Sequence, residues 1–338
     1  MKHELNLALV GASGVVGQKI IQLLEKKNFK VTNFYPLGKS SIGQEINLSG
    51  IKYIIDDVDT FDASNGNLVI LAAGSSVAKK YARSFVQKGC YVIDLSSEFR
   101  YEDDVPLIIP EINGHILEGL NTPSLIANPN CSTSQLLMAL KPIHEDFKIH
   151  FLNIATYQAV SGTGKEAVEE LKQQTKNPDA QAKVYPKKIA FNALPQCDIF
   201  LENDFTKEEM KLVWETKKIL DNNIDVQATC VRVPVQNGHS EAVFLKIDKN
   251  ATREEVINSL SNIKGVEVMD DPKNLIYPTP LEQANDTENV YVGRIRSQMI
   301  QNETWISLWI VADNVYGKGA ALNAVQIAES LMDNDKLK

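Results

Sequence analysis

Residues 5–27 read LNLALVGASGVVGQKIIQLLEKK, and this stretch decides the fold. LNLALV is short and almost wholly apolar, as a buried strand is. GASGVVG follows as a glycine turn with Gly11, Gly14 and Gly17. Beyond it Val16, Ile20, Leu23 and Leu24 recur at helical spacing. A second strand is expected around KVTNFY (30–35), so the chain opens as β-α-β. Further strands are predicted at NLVILAA (67–73) and CYVIDLS (90–96), with a helix over 77–89 between them. Alternation of this kind predicts an α/β, Rossmann-like doubly wound domain with ligands at the strand C-terminal ends.

The texture changes after residue 131. FLNIATYQAV, DVQATCVRVPV, EAVFLKID, NVYVGRIRS and TWISLWIVAD are strand-like, with helices expected over 165–176, 206–221 and 252–263. They describe an α+β second domain with a mostly antiparallel sheet. GAALNAVQIAESLMD is amphipathic and is expected to return to the first domain. The expected organisation is therefore 1–130 with 317–338, and 131–316.

At 338 residues, two domains are the natural expectation. Acidic side chains number 43 against 35 basic, a net charge of −8, and no basic run argues for nucleic acid. No apolar stretch approaches the ~18 residues of a membrane span, and the N-terminus has no signal-peptide pattern. Cys90, Cys131, Cys197 and Cys230 lack metal-like spacing, so no metal site is expected. Reduced thiols and a cytoplasmic location are.

Between strand and helix, the glycine turn lets a dinucleotide pyrophosphate approach the backbone around Gly11, Ser13, Gly14, Val15 and Val16. An NAD-type site has an acidic residue near the end of strand two. Here that stretch is NFYPLGKSS, in which Lys39 and Ser40 favour the 2′-phosphate of NADP.

NPNCST (128–133) places Cys131 at the start of the run SQLLMALKPI. A thiol at a helix start feels the positive end of the dipole, which favours thiolate, and the N–H groups of that turn are candidates for an oxyanion. The other three cysteines read as small core residues. Of the five histidines, His3 is terminal, His144 and His150 flank a polar turn, and His115 sits in a surface turn. His239, after the strand CVRVPV, is the best proton-transfer partner. Arg232 within that apolar strand needs an anion, for which a bidentate carboxylate is suitable. Arg100 ends the CYVIDLSSEFR segment, where a phosphate is expected.

These segments resemble the bacterial aspartate-semialdehyde dehydrogenases nearly end to end. The resemblance is carried by GASGVVG, SSEFR, NPNCSTSQ, TYQAVSGTGKEA, EEMKLVWETKKIL, CVRVPVQNGHSEAV and DNVYGKGAALNAVQIAE. It implies Cys131 as nucleophile, His239 as acid/base and Gln158 orienting a thioacyl intermediate. Arg232 and Glu208 would hold the aspartyl carboxylate and amino groups. Arg100, Lys211 and Asn130 would gather phosphate, and Ser161, Gly162 and Asn314 would touch the cofactor. It further implies NADPH-dependent reduction of aspartyl phosphate, feeding lysine, threonine and methionine synthesis, and a homodimer formed through the second domain. Without it, EEMK reads as a solvated helix face.

Two segments depart from the family pattern. YPLGKSS replaces an arginine–serine pair, and DNVYGKGAA lacks the arginine of DNxRKGAA and is one residue longer. Three alternatives are an N-acetylglutamyl-phosphate reductase, a non-catalytic paralogue acting as a binding subunit, and a Cys/His thiol hydrolase. The first lacks the RVPV…GHS arrangement, the second would tend to lose Cys131, Gln158, Arg232 and His239, and the third leaves the glycine turn unexplained.

Overall fold

The computed structural model describes residues 5–337, so His3 lies outside the described residues. The chain forms two compact units, one from residues 5–129 with 320–337 and the other from 130–319. In the first unit β1 (Leu5–Val10) leads through the glycine turn into α1 (Val15–Lys26), which buries Ile20, Ile21, Leu23 and Leu24. The chain continues through β2 (Val31–Gly38), a hairpin of β3 (Glu45–Leu48) and β4 (Ile51–Ile54), and β5 (Asp56–Asp57). Then come β6 (Leu68–Leu71), α2 (Ser75–Gln87), β7 (Tyr91–Asp94), the short helices α3 (Pro110–Asn113) and α4 (His115–Glu118), and β8 (Leu125–Ala127).

The sheet runs β5-β2-β1-β6-β7-β8 with every pair parallel. Its order reverses between β1 and β6, which is where a doubly wound sheet opens its binding crevice. One connection is unusual, because β2 reaches β5 through the β3–β4 hairpin rather than a helix. Ser49 (φ 52°) and Gly50 (φ 81°) make that turn, and the segment around it lacks helical apolar spacing. His115, expected in a surface turn, instead begins α4, where it remains exposed. The C-terminal helix (Ala321–Asp333) belongs to this unit. Asn323 Nδ2 donates to the Ile108 carbonyl (2.9 Å) and Asn128 Oδ1 (2.8 Å), tying the helix to the loops before α3 and α5.

The second unit begins with α5 (Cys131–Phe147) and β9 (Ile149–Gln158), then α6 (Lys165–Lys176) and α7 (Lys207–Ile219). β10 (Asp225–Arg232), β11 (His239–Ile247), α8 (Arg253–Ser261), β12 (Val266–Val268), α9 (Pro280–Gln283), β13 (Val290–Ile300) and β14 (Glu303–Ala312) complete it. Its sheet runs β10-β9-β11-β14-β13-β12, antiparallel except at its two outer pairs. An α/β unit and a mostly antiparallel α+β unit are what the sequence pattern predicts. α5 lies against β11, β13 and β14. His144 lies in the last turn of α5, before the connection to β9, and is buried, with Nδ1 accepting from Ile149 N–H at 3.2 Å. Among the described residues no helix is long and apolar enough to cross a membrane.

The glycine turn sets a limit on substitution. A Cβ on Gly17 would meet the Gly11 carbonyl oxygen at 2.2 Å, backbone that cannot swing aside. Gly17→Ala is expected to cost about 1–3 kcal/mol despite better helix propensity and to lower Tm by several degrees. Gly119→Ala, whose methyl meets only Ile116 O at 3.5 Å, should leave Tm nearly unchanged in the same thermal melts.

Candidate active site

Arg232 is the last residue of β10 and pairs in register with Gln158, the last residue of β9. His239 begins β11, beside Ser240, which pairs with Tyr157. Three candidate side chains therefore leave the adjacent ends of three neighbouring strands. Gly162 closes this group, since a Cβ there would lie 3.1 Å from His239 Cε1 and 3.3 Å from Arg232 Nη1. Arg232 Nη1 donates to the Ala159 carbonyl at 2.7 Å, whereas its buried Nε finds no protein acceptor. Ala159 also donates its N–H to His239 Nδ1 at 3.1 Å. The neutral ring thus carries its proton on Nε2, which is buried without a partner. Burial first, and then the nearby Arg232 charge, push the His239 pKa down to about 3, against a smaller upward pull from Glu208.

Cys131 is the first residue of α5, half-buried, with Asn130 as the N-cap. Asn130 Oδ1 accepts from the N–H groups of Ser132 (2.9 Å) and Thr133 (3.3 Å). Those two amides are therefore occupied, which corrects the expectation that they hold an oxyanion. Cys90, Cys197 and Cys230 are buried, and burial pushes Cys90 up to about 11 and Cys197 to about 12. Cys230 is likewise raised well above the ordinary thiol value by burial.

EEMK on α7 is not a solvated face, because Glu208, Glu209 and Lys211 are all buried. Glu208 Oε1 accepts from Asn130 Nδ2 (3.0 Å) and Gln158 Nε2 (2.9 Å), and Oε2 accepts from Lys211 Nζ (2.8 Å). Burial pushes the Glu208 pKa up, but Lys211 and the two amides outweigh it and bring it down to about 2. Lys211 also donates to Asp198 at 2.8 Å. Asp198 is absent from the sequence-derived set, as is Glu215, whose carboxylate accepts the Asn130 N–H at 2.7 Å. The spacing Glu208–Lys211–Leu212–Glu215 places all four on one helix face and was the available signal for Glu215. Nearby, Ser161 Oγ and the Asn314 side chain bond each other, and Asn314 Oδ1 accepts from Gly238 N–H at 2.9 Å. The DNVYGKGAA departure is a closed turn, with Asp313 Oδ1 accepting from Val315 N–H (2.9 Å) and Tyr316 N–H (2.8 Å).

In the first unit, Gly11 has φ +88°, and a Cβ there would meet Ala72 O at 2.5 Å. Gly14 caps α1 without a side chain, and Ser13, Gly14 and Val15 are exposed in succession, with Val16 half-buried behind them. This bare helix start, at the sheet's reversal point, fits the pyrophosphate of a dinucleotide. Lys39 and Ser40 follow β2 and are exposed. The strand pairing adds what the linear sequence hides, since Asp57 on β5 sits opposite Gly38. Lys39 bonds Asp59 and lies 3.6 Å from Asp57. Arg100 is buried rather than open, donating from Nε to Asn128 O (2.9 Å) and from Nη2 to Leu95 O (3.1 Å). Asn130 and Lys211 meet at Glu208, whereas Arg100 belongs to the other unit. No group of three or more His, Cys, Asp or Glu among the described residues is placed to hold a metal ion.

These pKa directions predict acid sensitivity. An unfolded His239 protonates near the ordinary 6.5 but the folded one only near 3, so the unfolded chain binds more protons in between. The His239 contribution to stability is therefore lost as pH drops below about 6.5. Glu208 adds a further loss as pH falls from about 4.5 toward 2. Buried Glu241, whose pKa is raised, acts in the opposite sense over the same range, so the His239 contribution is read as a difference: the urea midpoint of wild type relative to His239→Asn should fall between pH 7 and pH 5.

The semialdehyde dehydrogenase NAD-binding domain family matches residues 6–120, and the semialdehyde dehydrogenase dimerisation domain family matches 140–316. The aspartate-semialdehyde dehydrogenase of Shewanella violacea is 48% identical, over 98% of this chain and 99% of its own. The crystal structure of aspartate semialdehyde dehydrogenase II complexed with ASA from Vibrio cholerae matches with a TM-score of 0.94 at 40% identity, covering 98% of this chain and 99% of that one. That of the Candida albicans enzyme with NADP gives 0.76 at 26% identity, covering 98% and 100%. By sequence and fold across nearly its whole length, this chain belongs to the aspartate-semialdehyde dehydrogenases, oxidoreductases built on a dinucleotide-binding domain.

Proposed function

We propose that the chain catalyses the NADPH-dependent reductive dephosphorylation of L-4-aspartyl phosphate to L-aspartate 4-semialdehyde, through a thioacyl intermediate on Cys131. The observation that carries this reading is the convergence of Gln158, Arg232 and His239 on three adjacent strand ends, with Asn130 linking the Cys131 helix to Gln158 through Glu208. Cys131, favoured as thiolate by the helix start, attacks the acyl carbon. The S–C bond forms, the C–O bond to phosphate breaks, and inorganic phosphate leaves. The nicotinamide cofactor, when bound, supplies the hydride that reduces the thioester. The C–S bond then breaks, releasing aldehyde and regenerating the thiolate.

His239 works at Nε2, since Nδ1 is engaged by Ala159. Its N–H hydrogen-bonds the substrate oxygen as negative charge develops there. A substrate carboxylate at Arg232 offsets the charge that holds the ring neutral, raising its proton affinity for acid/base work. The Arg232 Nε without an acceptor supports that carboxylate role. Glu208 would meet the substrate amino group, and Lys211 with Asn130 the phosphate. Ser161, Gly162 and Asn314 would contact the cofactor, and the glycine turn its pyrophosphate. The dimerisation-domain match supports a homo-oligomer, for which we propose a homodimer. Four cysteines without a disulfide support a cytoplasmic enzyme of lysine, threonine and methionine synthesis.

The deciding experiment supplies aspartate semialdehyde, phosphate and NADP⁺ to the purified protein and follows reduced cofactor. Cys131→Ala should abolish turnover and keep cofactor binding, and His239→Ala should lower kcat by roughly 10²–10⁴-fold. Peptide mapping should find Cys131 alkylated before the three buried thiols; labelling of another cysteine first would remove it as nucleophile.

For NADP over NAD, Lys39 is the support, but Asp57 and Asp59 compete for its charge. The preference should therefore be modest. Lys39→Ala should weaken NADP⁺ binding by about 10-fold and leave NAD⁺ nearly unaffected, whereas Asp59→Asn should strengthen NADP⁺ binding. Equal wild-type Kd values for the two cofactors in direct titrations would contradict the assignment.

A further inference from the structure

Glu241 is fully buried on β11, two residues beyond His239 and on the same face of the strand. Its partners across the sheet are Thr156 on β9 and Ile310 on β14, neither of them cationic. Neither carboxyl oxygen has a protein hydrogen-bond donor. A carboxylate in that position is costly, and a buried charge without a partner gives way to its neutral form. Burial indeed raises its pKa well above the ordinary carboxyl range, outweighing the opposing interaction with Gln135, the side chain it faces.

Gln135 is the other half of the arrangement. It lies one helical turn after Cys131 on α5, on the same side of the helix. It is fully buried, and its Oε1 also has no donor. Its Nε2 donates to the main-chain carbonyl of His239 at 3.4 Å. An orphaned acceptor and an orphaned carboxyl that face each other are both satisfied if the carboxyl keeps its proton.

We propose that Glu241 is a positioning residue for Cys131 and His239, acting as an uncharged carboxylic acid whose hydroxyl donates to Gln135 Oε1 while Gln135 Nε2 donates to the His239 carbonyl. The chain of two hydrogen bonds ties the first turns of α5, which carry the thiol, to the start of β11, which carries the imidazole. Glu241 is thus not the anionic third member of a Cys-His-acid triad. It meets neither ring nitrogen, and His239 keeps no carboxylate partner of its own. The inference rests on the assignment of Cys131 and His239 as the reacting pair.

The protonation state is read without substrate. The infrared difference between wild type and Glu241→Gln at neutral pH should contain the carbonyl band of a protonated carboxylic acid, and its absence would overturn the proposal. Glu241→Ala leaves Gln135 unsatisfied and should lower kcat about 10-fold with KM for the semialdehyde little changed. It should also slow Cys131 alkylation. Glu241→Gln offers an N–H in place of the O–H and should restore most of that loss without moving the pH profile. Gln135→Met keeps the volume and removes the amide, so it should reproduce the alanine defect even if Glu241→Ala folds poorly. Combining Gln135→Met with Glu241→Ala should cost no more than either alone. A Gln variant as impaired as the Ala variant, or additive losses, would refute the linkage. A wild type inactive toward the semialdehyde would instead overturn the assigned reaction and leave the infrared and alkylation results to judge the hydrogen-bonded chain.

Discussion

The carboxylate of Glu208 is the constraint on which the second unit's site depends. Desolvating such a charge costs several kcal/mol, and it stays ionised only because three donors converge on it. Those donors arrive from three separate elements: the cap of α5, the end of β9, and the next turn of α7. Removing any of them would leave a buried charge short of a partner, a loss of about 3–5 kcal/mol for the ionic one. The carboxylate therefore fixes where Asn130 and Gln158 sit, and through the Asn130 cap it fixes where the Cys131 helix begins. Lys211 is held in turn by Asp198, so the ion pair is part of a network rather than an isolated contact.

A second constraint acts in the opposite sense. Arg232 and His239 share the space left by Gly162, and a cation beside an imidazole keeps the imidazole neutral. The arrangement is unfavourable for two positive charges and favourable for a positive charge with an arriving anion. That asymmetry is what the proposed carboxylate role of Arg232 rests on.

Much of this was legible in the chain. LNLALV followed by GASGVVG and an apolar helical stripe fixes a β-α-β opening, because a buried strand and an amphipathic helix each have a distinct period. Cys131 at a helix start, and Arg232 in an apolar strand, stand out because local physics gives them no other reason to be there. What stayed hidden depends on contacts between distant positions. EEMK has the composition of a wet helix face, and only its burial against β10 and the α5 cap reveals Glu208. Asp57 lies close to Lys39 only because β5 pairs with β2. Occupancy is equally invisible: NPNCST predicts a helix start but not that Asn130 has already taken two of its amides.

Tying residues 320–337 into the same unit as residues 5–129 makes the second unit, in chain terms, an insertion. On the ribosome the two units therefore face different schedules. Residues 130–319 are contiguous and have all their sheet partners once β14 has emerged. The first unit must wait with one helix position empty, its hydrogen-bond acceptors at Ile108 and Asn128 unfilled, until Asn323 is made. The usual order, in which the N-terminal domain matures first during synthesis, thus holds for the first unit's sheet, complete by Ala127, and not for its last helix. The surface of α1 against which the C-terminal helix packs is the part left uncovered until the chain is almost complete.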